Sequence, residues 1–224
     1  MNWFNDGEEL KNFKDSSTGR VRSHNYNGKY AFHSGFSWSG ISSGRFAVRY
    51  VPRGLMFDTK GPMGFSLSGT IQAKHEAFLN SEVANQLLKM LAPTLDFKLG
   101  HVLNLPVLES MPEEIVKLRN RAVDLAFDDW NESEIAWDFK CLLLEVSRNN
   151  KKIKDCLNAQ KRRWQEKASE LKSVEERSNQ LLIDAYNLSG ELVPDVPLEE
   201  VGLTCNPHYR YGGNRSEEEL ETLL

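Results

Sequence analysis

Acidic side chains are missing from a long early stretch of this 224-residue chain: no Asp or Glu occurs between Asp15 and Asp58. Cysteine is scarce too. Cys141, Cys156 and Cys205 are three in number and widely spaced, which excludes a disulfide framework and a CxxC metal knuckle and leaves free thiols. The five histidines form no HxxxH or HxH pair, so no metal site is expected. No run approaches the roughly 18 uninterrupted apolar residues of a membrane helix, and the acidic start Met1 to Glu9 lacks the apolar core of a secretory signal. The expectation is a cytoplasmic protein that does not engage a membrane. Hydrophobic residues at 40% and charged residues at 27% suffice for an ordinary core, in one domain or two small ones.

The acid-free stretch is basic. Residues 16–60 hold Arg20, Arg22, Lys29, Arg45, Arg49, Arg53 and Lys60 against the single acid Asp58, inside a chain whose formal charge is −4. Eight aromatics, Trp38 among them, are interleaved with Ser and Gly, a mixture suited to loops that approach a phosphate backbone while rings pack or stack. A strand-rich core with a solvated basic surface is the competing reading. In residues 45–53 the period of two sets Arg45, Arg49 and Arg53 on one strand face and Phe46, Val48 and Tyr50 on the other. Pro52 cannot donate to a ladder, which favours a sheet edge or strand end. The expected DNA-facing set is Arg20, Arg22, Lys29, Trp38, Arg45, Arg49, Arg53 and Lys60.

The chain divides by pattern into three parts. Residues 1–110 read as an α+β domain, with strand-like runs at Val21–Tyr26, Phe46–Val51 and Leu55–Phe57, one helix from Ile71 to Leu91, and over Leu95–Leu99 and Val102–Val107 a strand pair or a strand and turn closed by Pro106. Residues 111–189 read as helical. A helix runs from Glu113 to Phe127, an aromatic stripe of Phe127, Trp130 and Trp137 is expected to be core, and a long spacer helix covers Asn150 to Tyr186 with apolar positions such as Leu171 and Leu182 at helical spacing. Residues 190–224 form an acidic tail with Pro194, Pro197 and Pro207, then a capping box at Ser216 and Glu219.

Two short motifs imitate catalytic sites. Asn206-Pro207-His208-Tyr209 resembles the [Asp/Asn/Ser]-Pro-Pro-[Tyr/Phe/Trp] signature of amino-methyltransferases, but His208 replaces the second proline and no Gly-rich cofactor turn precedes it; an Asn-Pro turn is the plain alternative. Asp58-Thr59-Lys60 looks like half of a metal-dependent nuclease motif whose upstream acid is missing, which leaves Lys60 as a candidate phosphate contact. No catalytic residue is assigned.

Longer segments carry a resemblance. SSGRFAVRYVPRGLMFDTKGPMGF (Ser42 to Phe65), FLNSEVANQLLKMLAPTLDFKLGHVLNLPV (Phe78 to Val107), Trp130 with Trp137-Asp138-Phe139, and ELVPDVPLEEVGLTCNPHYRYG (Glu191 to Gly212) together resemble the target-recognition region of the PglX family, adenine-specific DNA methyltransferases of bacteriophage-exclusion systems. The Leu-Asn-Ser, Pro-Thr-Leu-Asp-Phe and Leu-Pro-Val pieces are similar in looser form to restriction–modification specificity regions. The resemblance implies methylation at adenine N6 with S-adenosylmethionine in phage defence. It also implies that the cofactor loop and catalytic motif lie upstream, so that Met1 is an internal start, Leu224 an early end, and no cofactor binds to this chain itself. Expected partners are duplex DNA and the missing methyltransferase portion. The competing function is a protein-interaction element whose long helix and acidic tail dock other subunits of the defence complex.

Overall fold

The computed structural model describes residues 3–22, 27–141, 152–212, 215–216 and 218–219. Its elements make an α+β protein, as expected. A short antiparallel sheet has the order β2–β1–β3, with β1 at Gly35–Trp38, β2 at Val48–Val51 and β3 at Met63–Gly64. Around it lie α1 (Phe4–Asn12), α2 (Gly69–Leu79), α3 (Glu82–Leu91), α4 (Leu99–Leu103), α5 (Glu114–Asn131), α6 (Ile153–Ala185) and α7 (Pro207–Tyr211). β2 is an edge strand that stops just before Pro52, where the missing N–H costs no ladder bond. β3 comes so close to β1 that a Cβ on Gly64 would lie 2.3 Å from the Phe36 ring, so only glycine fits there.

Residues 71–91 form two helices where the periodicity predicts one. Asn80 and Ser81 make the break. The Ser81 hydroxyl accepts from the Ala84 N–H at 3.2 Å and starts α3. Asn80 turns outward to the sheet, accepting from the Val48 N–H at 2.8 Å and donating to the Val48 carbonyl at 3.1 Å, so a side-chain amide occupies part of the free edge of β2. The strand pair, or strand and turn, expected from Leu95 to Val107 is also corrected. Residues 95–97 run alongside 40–42 through a single bridge between Ile41 and Asp96, and α4 occupies Leu99–Leu103. Leu55–Phe57 forms no strand; of Val21–Tyr26, Val21 bridges Lys14 and residues 23–26 lie outside the described residues.

Two cores form. The first gathers Phe36, Trp38, Phe46 and Val48 from the sheet region, Phe78, Val83 and Leu88 from α2 and α3, Ile115 from α5, and Leu182 with Ile183 from the end of α6. The second gathers Leu125 of α5, Leu171 of α6 and Val196, Val201, Leu203 and Cys205 of the following segment. At about 1.5 Å per residue the 33 residues of α6 span about 50 Å, which lets one helix serve both. Ile153 at its start is 81% exposed, while Cys156 three residues on is buried. The capping box forms, the Ser216 hydroxyl accepting from the Glu219 N–H at 3.2 Å and the Glu219 carboxylate from the Ser216 N–H at 2.8 Å.

Candidate nucleic-acid interface

The eight residues expected to face DNA divide into three groups. Trp38 is corrected first: at 4% exposure it belongs to the core, its ring beside Phe36 and Phe46 and its indole N–H donating to the Phe97 carbonyl at 3.1 Å. The indole is buried because β1 is the central strand, so in this structure it cannot stack on a base.

Arg45 and Arg49 make the second group: Arg45, just ahead of β2, is half-buried and paired, while Arg49, on β2, is exposed and makes no ion pair among the described residues. Arg45 donates to the carboxylates of Glu82 at 2.6 Å and of Glu200, joining the start of α3 to the 3-10 turn Leu198–Glu200. Arg49 donates to its own Val48 carbonyl at 3.1 Å, and its guanidinium lies so close to Gly202 that a Cβ there would sit 3.2 Å from Nη2. Both arginines act on the Glu175 carboxyl of α6. Desolvation pushes that carboxyl up to about 7, against the opposing pull of Arg49 and Arg45 and with a further push from Glu200. Arg45 fastens the chain leading into β2 to α3 and to the segment after α6, while both arginines reach Glu175 through their charge alone.

The third group is exposed. Arg20, Lys29, Arg53 and Lys60 make no ion pair among the described residues, while Arg22 reaches Asp15 at 3.0 Å. Lys29 follows the left-handed residue Asn27 and lies over the Tyr30 ring at 4.9 Å. Arg53 lies in the turn after β2, which Gly54 closes with φ +101°. Backbone bonds from Phe32 N–H to Leu55 O and from Gly54 N–H to Phe32 O set that turn against the Lys29 loop. Lys60 is at the other end of β1, where its carbonyl accepts from the Gly40 N–H at 2.9 Å. Four residues of strand separate the two ends, about 13 Å at roughly 3.3 Å per residue.

Both imitation motifs are structural turns. Asp58 accepts from the Lys60 and Gly61 N–H groups at 2.6 and 2.7 Å, and those bonds hold its carboxyl below the ordinary range. Asn206 is 1% exposed; its amide donates to the Leu198 and Val201 carbonyls and its oxygen accepts from the His208 N–H, which starts α7. Both amide protons are used within the turn and the side chain is buried, so this amide is not presented to a substrate amine. The motifs that carry the family resemblance are joints as well. Asn80 and Ser81 make the helix break, Phe97 receives the Trp38 indole, and the Tyr186 hydroxyl donates to the Pro106 carbonyl at 2.6 Å while accepting from the Leu108 N–H at 3.3 Å.

An α+β unit with a basic loop surface, whose diagnostic motifs are packing joints, is similar along its length to one stretch of adenine-specific methyltransferases. The adenine-specific methyltransferase PglX of Lacticaseibacillus casei (strain Zhang) is 38% identical over 209 residues, 91% of this chain and 17% of that protein. The adenine-specific methyltransferase BrxX of Escherichia coli O9:H4 (strain HS) is 26% identical over 222 residues, 97% of this chain and again 17% of that protein. No protein-family model matches the chain. The resemblance read from the motifs is borne out, and the chain spans 17% of the length of each of these curated relatives. No described helix is long and apolar enough to cross a membrane, and the described residues contain no cluster of His, Cys, Asp or Glu able to hold a metal.

Proposed function

We propose that this chain is the DNA target-recognition part of an adenine-specific (N6) methyltransferase of a phage-defence system, working in the cytoplasm on duplex DNA. The observation that carries the reading is the group of unpaired cations on the loops around β1. Lys29 and Arg53 at one end and Lys60 at the other cover about 13 Å, close to four base pairs at the roughly 3.4 Å that separate successive charges on one strand. Arg20 adds to the surplus on the loop bridged by Lys14 and Val21. Arg45 serves the same surface indirectly, by pairing with Glu82 and Glu200 ahead of the edge strand.

S-adenosylmethionine belongs, in this reading, to a part of the methyltransferase outside this chain. Such a cofactor needs a Gly-rich turn between a strand and a helix. The described strand that leads into a helix, β3, does so through Phe65-Ser66-Leu67-Ser68, where the Ser68 hydroxyl caps α2 at the Ile71 N–H. The residues present do not fit the cofactor.

The test is duplex binding measured across a salt series. Lys29→Glu, Arg53→Glu and Lys60→Glu combined should weaken binding and flatten the log–log salt slope by roughly one for each phosphate no longer neutralised. Melting temperature should be unchanged. Arg45→Glu alone should lower the melting temperature, because it sets a third acid between Glu82 and Glu200. A salt slope untouched by the triple change removes those loops from the interface.

A further inference from the structure

Of the three rings expected to form a buried stripe, Trp130 is 47% exposed and lines a groove of about 420 Å³ between the end of α5, α6 and α7. Trp164 of α6 and Tyr209 and Tyr211 of α7 complete its aromatic lining, with Tyr209 also 47% exposed. Four rings therefore converge on one concave surface.

The acids of the groove are engaged by its own walls. Glu132 accepts from the Trp164 indole N–H at 2.7 Å and from Lys167 at 2.6 Å; Asp129, 4% exposed, accepts from the Thr204 N–H and hydroxyl and from the Cys205 N–H. The exposed charge is positive. Arg210 lines the groove, lies over the Tyr211 ring at 5.3 Å, and makes no ion pair among the described residues. Arg49 stands at the Tyr209 end, because a Cβ on Gly202 would sit 3.2 Å from Arg49 Nη2 and 3.9 Å from the Tyr209 ring. Glycine at that point lets guanidinium and ring close over the same bare backbone, and Arg49 too is exposed and without an ion pair among the described residues.

That combination selects a nucleotide. Aromatic rings offer a stacking face to any base, and a planar guanidinium meets phosphate oxygens with parallel N–H bonds. A base inside a duplex has no free face, so the ligand is unpaired. The groove volume falls at the lower end of the roughly 300–1,000 Å³ of ligand sites, which suits one nucleotide and not a run of them. We propose that this groove holds a single unpaired nucleotide of a DNA strand, the base stacked on the rings of Trp130 and Tyr209 and the phosphate met by Arg210 and Arg49. Enzymes that modify a base take it out of the duplex, which leaves unpaired nucleotides to be held. The assignment rests on the DNA-recognition reading only for the source of the strand, and the groove is tested apart from the loops around β1.

A short fluorescein-labelled deoxythymidine oligonucleotide, titrated with the intact chain and followed by anisotropy, tests the proposal, with tryptophan emission read on the unlabelled strand. Saturable binding with quenched emission is expected. Tyr209→Ala should weaken binding by about tenfold, whereas Tyr209→Phe, which keeps the ring, should bind like the parent. Trp130→Leu should remove most of the quench. Arg210→Gln and Arg49→Gln should each lower the log–log salt slope by roughly 0.7, the value for one phosphate of a single strand. Lys29→Glu, Arg53→Glu and Lys60→Glu combined should weaken duplex binding yet leave the quench at saturation intact; a chain that quenches with the single strand but does not bind duplex would sink the loop reading and leave the groove assigned. Absence of single-strand binding, or equal binding by Tyr209→Ala, overturns the proposal. So does displacement of the strand by an equal concentration of thymidine monophosphate, which would assign the groove to a free nucleotide, or sedimentation showing that the chain pairs with itself through Trp130.

Discussion

Arg119 of α5 closes on one oxygen of Glu76 of α2 with Nε at 2.7 Å and Nη2 at 2.5 Å, the two side chains only 14% and 3% exposed. The other Glu76 oxygen accepts from Gln72 at 2.7 Å, and the guanidinium also covers the Tyr50 ring at 5.0 Å. One cation thereby ties α2, α5 and the edge strand together. Burial pushes the Glu76 carboxyl up, and the Gln72 and Arg119 contacts pull it back down.

Arg119→Met should therefore destabilise the protein by about 3 kcal/mol or more at neutral pH, the usual cost of leaving a buried charge without its partner. Protonated Glu76 needs no cation, so the loss should shrink as pH falls. Adding Glu76→Gln to Arg119→Met should restore much of it. Urea melts of the single and double variants at pH 5 and pH 8 check both statements; equal losses at the two pH values would mean that Glu76 stays ionised without Arg119.

Glu175 predicts a pH dependence of definite sign. Its folded carboxyl titrates near 7 against an ordinary 4.5, so the folded state holds the proton more tightly than the unfolded one. Stability from this group is full below pH 4.5 and is lost as pH rises through 7. Glu175→Gln should remove that decline and make the protein more stable than the parent at pH 8, by an amount on the order of 1–3 kcal/mol. Thermal melts from pH 4.5 to 8 show whether the two curves diverge over that range.

Asp129 governs a thiol. The carboxylate is 4% exposed and accepts from the Thr204 N–H and hydroxyl at 2.6 and 2.8 Å and from the Cys205 N–H at 3.0 Å. Burial, with the Asp129 hydrogen bond and charge next, pushes the Cys205 thiol far up and keeps it protonated. Asp129→Ala should free the segment around Cys205 and speed its labelling by a thiol reagent at pH 8, with mass spectrometry separating Cys205 from Cys141 and Cys156. Unchanged labelling of Cys205 would show that the second core holds that segment without the carboxylate.

Local signals in the sequence are reliable where local chemistry decides. Pro52 marks the strand end, Ser216 with Glu219 marks a cap, and the periodicity of α5 and α6 locates both helices within a few residues. The break at Asn80-Ser81 is hidden because apolar positions continue through it from Phe78 to Val83; the serine cap is its visible sign. Arg45 looks free in the sequence because its partners, Glu82 and Glu200, lie 37 and 155 residues away. The Phe127, Trp130 and Trp137 spacing reads as a buried stripe, yet all three rings are exposed and Trp137 lies beyond the end of α5. Periodicity fixes an azimuth on a helix, whereas burial depends on the rest of the fold.

Leu171 and Leu182 stand eleven residues apart on α6 and point into different cores. Eleven residues are just over three whole turns, so the two side chains leave the helix within about 20° of the same direction. The helix thus works as a keyed shaft that sets the phase between the sheet-bearing half and the half that carries Asn206. Deleting one residue between Leu171 and Leu182 would turn one core about 100° relative to the other. Neither half could then keep its seat, although no buried side chain had changed. Recombination of this module between related proteins should accordingly tolerate exchange of the loops around β1 while rejecting any crossover that alters the length of α6 between those two leucines.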